Sequence, residues 1–334
     1  MTFFEDVSYS DVPISISNFL LEIDKHAMIK TILDGLISDR KHISSKYFYD
    51  AEGSKLFEEI TLLPEYYLTR SEIEILSETS FQIAGDLRNI DIIEIGSGDG
   101  SKISLILDSI PAVNMPTVRY IPVDINQAVI EASAKLLIKR FPGLKVHGVV
   151  ADFEKQLHLI HGESKRLICF FGSTVGNLSR KDAMRIIAEL GGGMQPGDRL
   201  LLGVDRVKSR DILYKAYNDS QNITAKFNRN ILNVVNNLVG TNFNPDFFDH
   251  IAFYEEETSR IEMHLKAVKY MEISCPYLHG KILLKPEETI HTENSHKFSV
   301  QHIESLASAS GLKIENIFSD RNKWFSIIQF LKED

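Results

Sequence analysis

The most constraining feature of this sequence is a regular alternation of short apolar runs and helical stretches between residues 92 and 204. Strands that are buried on both faces of a parallel sheet give such continuous runs. The alternation therefore predicts an α/β fold with a doubly wound parallel sheet, which two further strands complete at 314–318 and 325–331. The five runs occupy 92–95, 119–123, 145–150, 166–171 and 199–204.

The rhythm changes near residue 71 and again near residue 206. A long helix is predicted at 224–239, where Gly240 ends it, and the alternation at 261–267 predicts a half-exposed antiparallel strand. The partner of that strand is expected at 280–284. These elements predict an α+β insertion, in which the nine asparagines between residues 218 and 244 are expected to form a solvated face.

A glycine-rich loop with the sequence EIGSGDGSK follows the first run, at 94–102. Glycines at the carboxyl end of a strand let the backbone approach a ligand closely. The sixth position of G-x-G-x-x-G is Ser101 here, so the dinucleotide pattern fails. The spacing of Gly96, Gly98 and Gly100 favours S-adenosylmethionine (SAM), with a purely structural turn as the alternative.

Acidic residues end the next two strands. Asp124 lies where a carboxylate can accept hydrogen bonds from both ribose hydroxyls, although a helix-capping role is the alternative. Asp152 can accept from an adenine amino group while Phe153 lies beside the ring, and the alternative for Asp152 is a solvated loop. Together with the glycine-rich loop, these positions match the ribose and adenine of SAM.

Composition narrows the possible functions. The net charge of −9 and the absence of a basic stripe argue against nucleic-acid binding. Two cysteines exclude a disulfide framework and favour a reducing cytoplasm. The sequence shows no signal peptide and no apolar run of the ~20 residues that span a bilayer. Its eleven histidines are scattered without metal-ligand spacing, so no metal is expected.

Beyond these features, the sequence resembles the histidine-specific SAM-dependent methyltransferases from about residue 45 to the C-terminus. That family includes the L-histidine Nα-methyltransferase of the ergothioneine pathway and fungal enzymes that act on tryptophan derivatives. The motifs that carry the resemblance are 46–50 (KYFYD), 53–57 (GSKLF), 63–70 (LPEYYLTR), 94–102, 171–178 (FGSTVGNL), 259–263 (SRIEM) and 291–298 (HTENSHKF).

The resemblance implies a Rossmann-like SAM-binding domain at 71–206 and 298–334. It also implies an α+β substrate domain at 20–70 and 207–297, with 1–19 as an N-terminal arm. The residues implied to surround SAM are Tyr49, Gly96, Lys102, Asp124, Asp152 and Phe153. Those implied to bind the substrate are Gly172, Asn177 and Tyr217 at its head group, Tyr66, Glu293 and Ser295 at an imidazole, and Met263.

Chemical reasoning agrees with these roles. Asn177 and Tyr217 can hydrogen-bond a carboxylate, although a capping Asn and a packed Tyr are the alternatives. Glu293 and Ser295 are two residues apart, so in an extended segment they point to the same side, where they can pair with both imidazole nitrogens. Tyr49 is the catalytic candidate, beside the sulfonium or hydrogen-bonded to the amine.

The predicted function is SAM-dependent methylation of the α-amine of free L-histidine. The resemblance implies trimethylation to hercynine, the first step of ergothioneine-type biosynthesis, by a cytoplasmic monomer. The alternative is the same chemistry on another amino acid such as tryptophan, which would have little use for Glu293. A non-catalytic SAM-binding module, a macromolecular methyltransferase and a nicotinamide dehydrogenase are further alternatives.

Overall fold

The computed structural model describes residues 14–20, 25–159 and 164–334. The described chain divides into two compact units. The first contains 14–20, Arg70–Arg206 and Phe298–Asp334, and the second contains 25–69 and Val207–Lys297. The chain thus changes unit after residues 206 and 297, where the sequence analysis places domain boundaries.

The strands are β1 (Ile14–Asn18), β2 (Ile90–Ile95), β3 (Val118–Asp124), β4 (Lys145–Val150), β5 (Lys165–Phe170), β6 (Arg199–Asp205), β7 (Phe248–Glu255), β8 (Arg260–Ala267), β9 (Met271–Ile273), β10 (Ile282–Leu284), β11 (Thr289–His296), β12 (Lys313–Ser319) and β13 (Phe325–Leu331). The helices are α1 (Lys25–Ile37), α2 (Ala51–Thr61), α3 (Leu68–Ala84), α4 (Ser101–Asp108), α5 (Gln127–Arg140), α6 (Phe153–Gln156), α7 (Arg180–Gly193), α8 (Arg210–Tyr217), α9 (Ile223–Val239) and α10 (Val300–Ser310).

The first unit is built on one eight-stranded sheet with the order β1-β4-β3-β2-β5-β6-β13-β12. The strands from β1 to β6 are parallel, and β13 and β12 pair antiparallel at one edge. Every residue of β2 is buried, as its apolar run predicts for a central strand. The predicted doubly wound sheet is therefore confirmed, including its two closing strands.

The N-terminal part of this unit adds a strand to the sheet that the sequence analysis does not predict. The described end of the predicted arm is β1, which pairs parallel with β4. Residue 20 also lies in the first unit and not in the substrate domain. The change of rhythm near residue 71 falls inside α3, which begins at Leu68. Glu72 is therefore an interior residue of the helix, and its side chain is fully buried.

Glu72 joins three elements of the first unit. Both carboxylate oxygens accept from the Gly172 N–H at 2.9 Å, and the Lys102 ammonium lies 2.8 Å from one of them. Gly203 on β6 leaves room for this carboxylate, because a Cβ there would lie 2.1 Å from Glu72 Oε1. Glu72 thus holds the loop after β5 and the start of α4 in fixed positions.

The second unit contains a three-stranded antiparallel sheet with the order β11-β8-β7 and a two-stranded pair of β9 and β10. The strand predicted at 261–267 is confirmed as β8. Its expected partner at 280–284 is wrong: β10 pairs with β9 because β8 already has a neighbour on each side, β7 and β11.

The helix predicted at 224–239 is confirmed as α9, and Gly240 ends it with φ of 69°. Its asparagines do not all face solvent, contrary to the prediction. Asn228 is fully buried, where it accepts from Thr292 Oγ1 at 2.7 Å and donates to the His264 carbonyl at 3.0 Å. These bonds anchor α9 to β8 and β11.

Thr292 marks a β-bulge in β11. His291 pairs with His264 and Glu293 pairs with Met263, so Thr292 is an extra residue with no counterpart on β8. Without the bulge, His291 and Glu293 would point to the same face of the sheet. The bulge instead places Glu293 on the buried face with Met263. Asn228 bonds the Thr292 side chain and the β8 carbonyl at this irregularity.

Both cysteines are buried and free, which agrees with the absence of a disulfide framework. Among the described residues, no helix is long and apolar enough to cross a bilayer.

Replacing Glu72 by Gln is expected to lower the free energy of unfolding by about 2–3 kcal/mol, because the Lys102 ammonium loses its partner. The matched control is Glu74→Gln on the same helix, whose partner Arg321 is 80 % exposed. That change is expected to cost less than about 1 kcal/mol. Urea unfolding at neutral pH compares the two variants, and equal losses would contradict the role of Glu72.

Candidate active site

The glycine-rich loop leaves open space at the carboxyl end of β2. Gly96, Gly98 and Gly100 have φ of 67°, 53° and 74°, a conformation that favours glycine. A Cβ built on Gly96 or Gly98 would meet no atom of the described residues within 4 Å. The backbone of the loop is thus exposed to a ligand on this side, as SAM binding requires.

Asp124 connects that loop to the end of β3. One carboxylate oxygen accepts from the Gly98 N–H at 3.2 Å and the other from the Asn126 N–H at 3.0 Å. Burial raises the pKa of this carboxyl group, and the backbone N–H groups oppose that rise. The Ile125 N–H also contributes, and of the carboxylate's four acceptor sites these three N–H groups leave one for a ligand hydroxyl. The helix cap that follows belongs to Asn126, so the capping alternative for Asp124 is not observed.

Asp152 and Phe153 follow β4. Asp152 is buried and caps α6 by accepting from the Glu154 N–H at 3.1 Å, so the solvated-loop alternative is wrong. Phe153 packs edge-on against Phe170 with ring centroids 5.4 Å apart. The Asp152 carboxylate and the Phe153 ring, each held by its own contact, are therefore adjacent at the end of β4.

Gly172 and Asn177 follow β5. Gly172 has φ of 76°, and its N–H already donates to Glu72. Asn177 is half-buried at the end of a 3₁₀ turn, Thr174–Asn177. Because β2, β3, β4 and β5 are parallel neighbours, the predicted site residues of this unit share one edge of the sheet. We call them the strand-end site: Gly96, Lys102, Asp124, Asp152, Phe153, Gly172 and Asn177.

Glu94 lies just before the loop, where burial favours its neutral form. It is fully buried and accepts from the Tyr120 hydroxyl at 2.6 Å. Burial raises the pKa of Glu94 to about 8, against the smaller opposing effect of the Tyr120 hydrogen bond. The negative charges at the strand-end site therefore come from Asp124 and from residues beyond β2.

The second unit places Glu293 and Ser295 on the same buried face of β11, as predicted. Glu293 pairs in register with Met263, and Ser295 pairs with Ile261. All four side chains are buried. The part of the chain that the structure describes gives the Glu293 carboxyl group no hydrogen-bond partner. Burial raises its pKa to about 7, while the charge of Lys297 acts to lower it.

Ser295 belongs to a hydrogen-bonded triangle. Tyr217 Oη donates to Ser295 Oγ at 2.7 Å, and Lys297 Nζ donates to both, at 2.9 and 2.8 Å respectively. Lys297 is fully buried and its ammonium also lies 4.8 Å from the centre of the Tyr217 ring. With Glu293, these residues form what we call the β11 cluster: Tyr217, Glu293, Ser295 and Lys297.

Lys297 was missed by the sequence analysis, although the sequence contained an indication of it. Residues 293, 295 and 297 alternate, so an extended segment places all three on one face. Glu72 was also missed, and no pattern in the sequence distinguishes it from the half-buried Glu74.

Tyr49 and Tyr66 lie in one aromatic group. The Phe57 ring packs edge-on against both, with centroid distances of 5.7 Å to Tyr49 and 6.2 Å to Tyr66, and Tyr49 also contacts Phe227 at 5.9 Å. The structure therefore places these two predicted site residues together. The role expected for Tyr49 beside SAM stays a prediction.

One group of side chains has the composition of a metal site: Glu262, His264 and His291, whose ligand atoms lie within 4.8 Å of one another. Hydrogen bonds with one another and with neighbouring side chains explain why these three residues lie together. Glu262 accepts from Arg260 and from His264 Nε2, the latter at 2.9 Å, and His291 Nε2 lies 3.1 Å from Asn294 Oδ1. The Arg260 charge repels a cation, and the expectation of no metal stays a prediction.

Comparisons with known proteins agree with the resemblance. Residues 28–332 match the family described as histidine-specific methyltransferase, SAM-dependent. A histidine N-alpha-methyltransferase of Mycobacterium tuberculosis is 37 % identical over 300 residues, 90 % of this chain and 93 % of that protein. Another, of Mycolicibacterium smegmatis, is 34 % identical over 92 % of this chain and 96 % of that protein.

A 4-dimethylallyltryptophan N-methyltransferase of Epichloe festucae var. lolii is more distant, at 23 % identity over 88 % of this chain and 92 % of that protein. The strand-end site and the β11 cluster thus lie in a chain that matches one family over nearly its whole length. The protein belongs to the histidine-specific, SAM-dependent methyltransferases.

Proposed function

We propose that this enzyme transfers methyl groups from SAM to the α-amine of free L-histidine. The observation that supports the choice of substrate is the Glu293 carboxyl group, which is buried and makes no hydrogen bond within the described chain. An unpaired buried polar group costs free energy, so a ligand that donates to it gains correspondingly. An imidazole N–H is such a donor, and Ser295 can serve the second ring nitrogen.

The names of the relatives support the same substrate. The two mycobacterial relatives are both named histidine N-alpha-methyltransferases, and a relative named for a tryptophan derivative is less similar. An indole has one N–H and no ring nitrogen acceptor, so it would leave part of the β11 cluster without a partner. Sites built to hydrogen-bond a substrate reject such analogues strongly.

SAM is proposed to bind at the strand-end site. Asp124 would accept from a ribose hydroxyl, Asp152 and Phe153 would contact the adenine, and the open backbone at Gly96 would lie beside the cofactor. Lys102 is proposed to contribute through its ammonium, which Glu72 holds in place. Bound SAM supplies a methyl group on a positively charged sulfur.

Besides binding SAM, the enzyme must position the substrate amine for methyl transfer. The α-amine of a peptide N-terminus has a pKa of about 7.7–8.0, and the carboxylate of a free amino acid raises that of its own α-amine further. A minor neutral fraction still exists at physiological pH, so the enzyme can bind the neutral amine without a strong base. Holding the amine in line with the methyl group contributes up to about 7–11 kcal/mol in well-oriented cases. We assign Asn177 to the substrate carboxylate and Tyr49 to orienting the amine. The carboxylate role expected for Tyr217 does not fit the structure, because its one hydroxyl proton is donated to Ser295 Oγ. The aromatic group of Tyr49, Phe57 and Tyr66 provides apolar surface that excludes water.

The product is proposed to be hercynine, formed by three successive methylations. Its use as the first intermediate of an ergothioneine-type pathway follows from the family and requires partner enzymes. Cytoplasmic location and a monomeric state stay predictions as well.

The substrate is tested by incubating the purified protein with SAM and an equimolar mixture of the twenty amino acids, followed by mass spectrometry. Only histidine is expected to gain methyl groups, and the trimethyl form is expected to accumulate. Methylation of tryptophan instead would contradict the role of Glu293. Labelling of no amino acid while SAM still binds would contradict the proposed substrate class.

The affinity for histidine is expected to rise between about pH 6 and about pH 8. The sign follows from Glu293: it is protonated below its pKa of about 7 and accepts the imidazole N–H better once ionised. Calorimetric titration with S-adenosylhomocysteine present measures the dissociation constant. In Glu293→Gln the affinity is expected to be at least about tenfold weaker at the higher pH, with a shallower pH dependence. An unchanged pH profile in that variant would contradict the assignment.

Asp124→Ala is expected to weaken SAM binding by about 10–100-fold, because hydrogen bonds to a charged group contribute about 1.5–3 kcal/mol. The control is Asp108→Ala, an exposed carboxylate on α4 that pairs with Arg140. Calorimetric titration with SAM compares the two variants. Equal affinities of the two variants for SAM would contradict the proposed contact between Asp124 and the ribose.

A further inference from the structure

Lys297 is a fully buried charged residue to which the proposed mechanism gives no role. Lysine is almost never fully buried unless its ammonium is paired. Here the ammonium donates to Tyr217 Oη at 2.9 Å and to Ser295 Oγ at 2.8 Å. The backbone N–H of Lys297 also donates to the Ser259 carbonyl at 2.7 Å, which fixes the end of β11. The position of this charge is thus well determined.

The triangle has a defined hydrogen-bond direction. An ammonium group only donates, so both of its partners must accept from it. Tyr217 then donates its own proton to Ser295 Oγ. Both acceptor sites of Ser295 Oγ are therefore occupied, one by Tyr217 and one by Lys297. The hydroxyl proton of Ser295 is left to donate to a ligand.

We propose that Lys297 is a positioning residue that makes Ser295 a donor, so that the β11 cluster selects a neutral imidazole with one N–H and one unprotonated nitrogen. The N–H is donated to Glu293 and the unprotonated nitrogen accepts from Ser295. This inference rests on the proposed function, and it adds the protonation state of the substrate side chain.

The positive charge of Lys297 also favours a neutral imidazole over an imidazolium. A cationic imidazolium would bring a second positive charge close to a buried ammonium, where the effective dielectric constant is low. The same ammonium acts to lower the pKa of Glu293 against the larger effect of burial, and with both effects the pKa is raised to about 7. On the neighbouring strand β8, the residue opposite Glu293 is the uncharged Met263. Lys297 therefore favours an ionised acceptor and a neutral ring together.

Lys297→Met tests this role. The KM for histidine is expected to rise at least about tenfold while kcat and the KM for SAM change less than about threefold, because substrate recognition is lost and the methyl donor is not affected. The pH profile of histidine binding is expected to shift to higher pH, since Glu293 loses the neighbouring charge. Lys297→Arg is expected to restore part of the affinity.

Lys266→Met is the matched control. Lys266 lies on β8, where it is paired in register with Thr289 of β11, and its ammonium pairs with Glu287, which is 75 % exposed. This variant is expected to keep the kinetics and the pH profile of the wild type. If Lys297→Met lowers thermal stability but leaves the KM and the pH profile of the wild type, Lys297 is only structural and the proposal is wrong.

Ring-¹⁵N-labelled histidine tests the wild-type protein directly, so the proposal stays testable even if every Lys297 variant fails to fold. Bound together with S-adenosylhomocysteine near pH 6.5, the ring is expected to show one protonated and one unprotonated nitrogen. A bound imidazolium would overturn the proposal. Failure of the proposed function would give a different result: the wild-type enzyme would not bind histidine or would not methylate it.

Discussion

Burying a carboxyl group without a hydrogen-bond partner costs free energy, and the second unit buries Glu293 with no such partner among the residues that the structure describes. The neighbouring side chains bond one another and leave the Ser295 hydroxyl proton for a ligand. Lys297, Tyr217 and Ser295 satisfy one another, and Asn228 satisfies the groups around the bulge at Thr292. A site of this kind is rigid and polar before any ligand arrives. Its specificity is then set by which ligand completes its hydrogen bonds.

The first unit contains two buried glutamates with opposite electrostatic states. Glu94 accepts from a neutral tyrosine hydroxyl, and burial favours its protonated form. Glu72 faces the Lys102 ammonium and the Gly172 N–H, which both stabilise a carboxylate. Glu94 is thus a core residue whose neutral form is favoured, whereas Glu72 pairs with Lys102 of the strand-end site.

The sheet of the first unit could be predicted well because its strands are apolar on both faces and alternate with capped helices. β1 was missed because its five residues pair with β4, more than a hundred positions away, which no local pattern reveals. The glycine-rich loop and the carboxylates at the strand ends were predictable from position. Glu72 was not, because its partners Gly172 and Lys102 are distant in sequence. Lys297 was indicated by the alternation of residues 293, 295 and 297 but was overlooked. The bulge was missed because the alternation of β11 gives no sign of it.

The bulge at Thr292 also limits how the chain length of β11 can change. β11 consists of two halves whose side-chain alternation differs in phase by one residue. The first half is tied to residues 41–43 and the second to Ser259, so neither half slides freely along β8. Loss of the extra residue would force one half to shift and could exchange Glu293 and Ser295 for their sequence neighbours on the buried face. Chain length at one position, as much as residue identity, therefore determines which side chains a substrate meets.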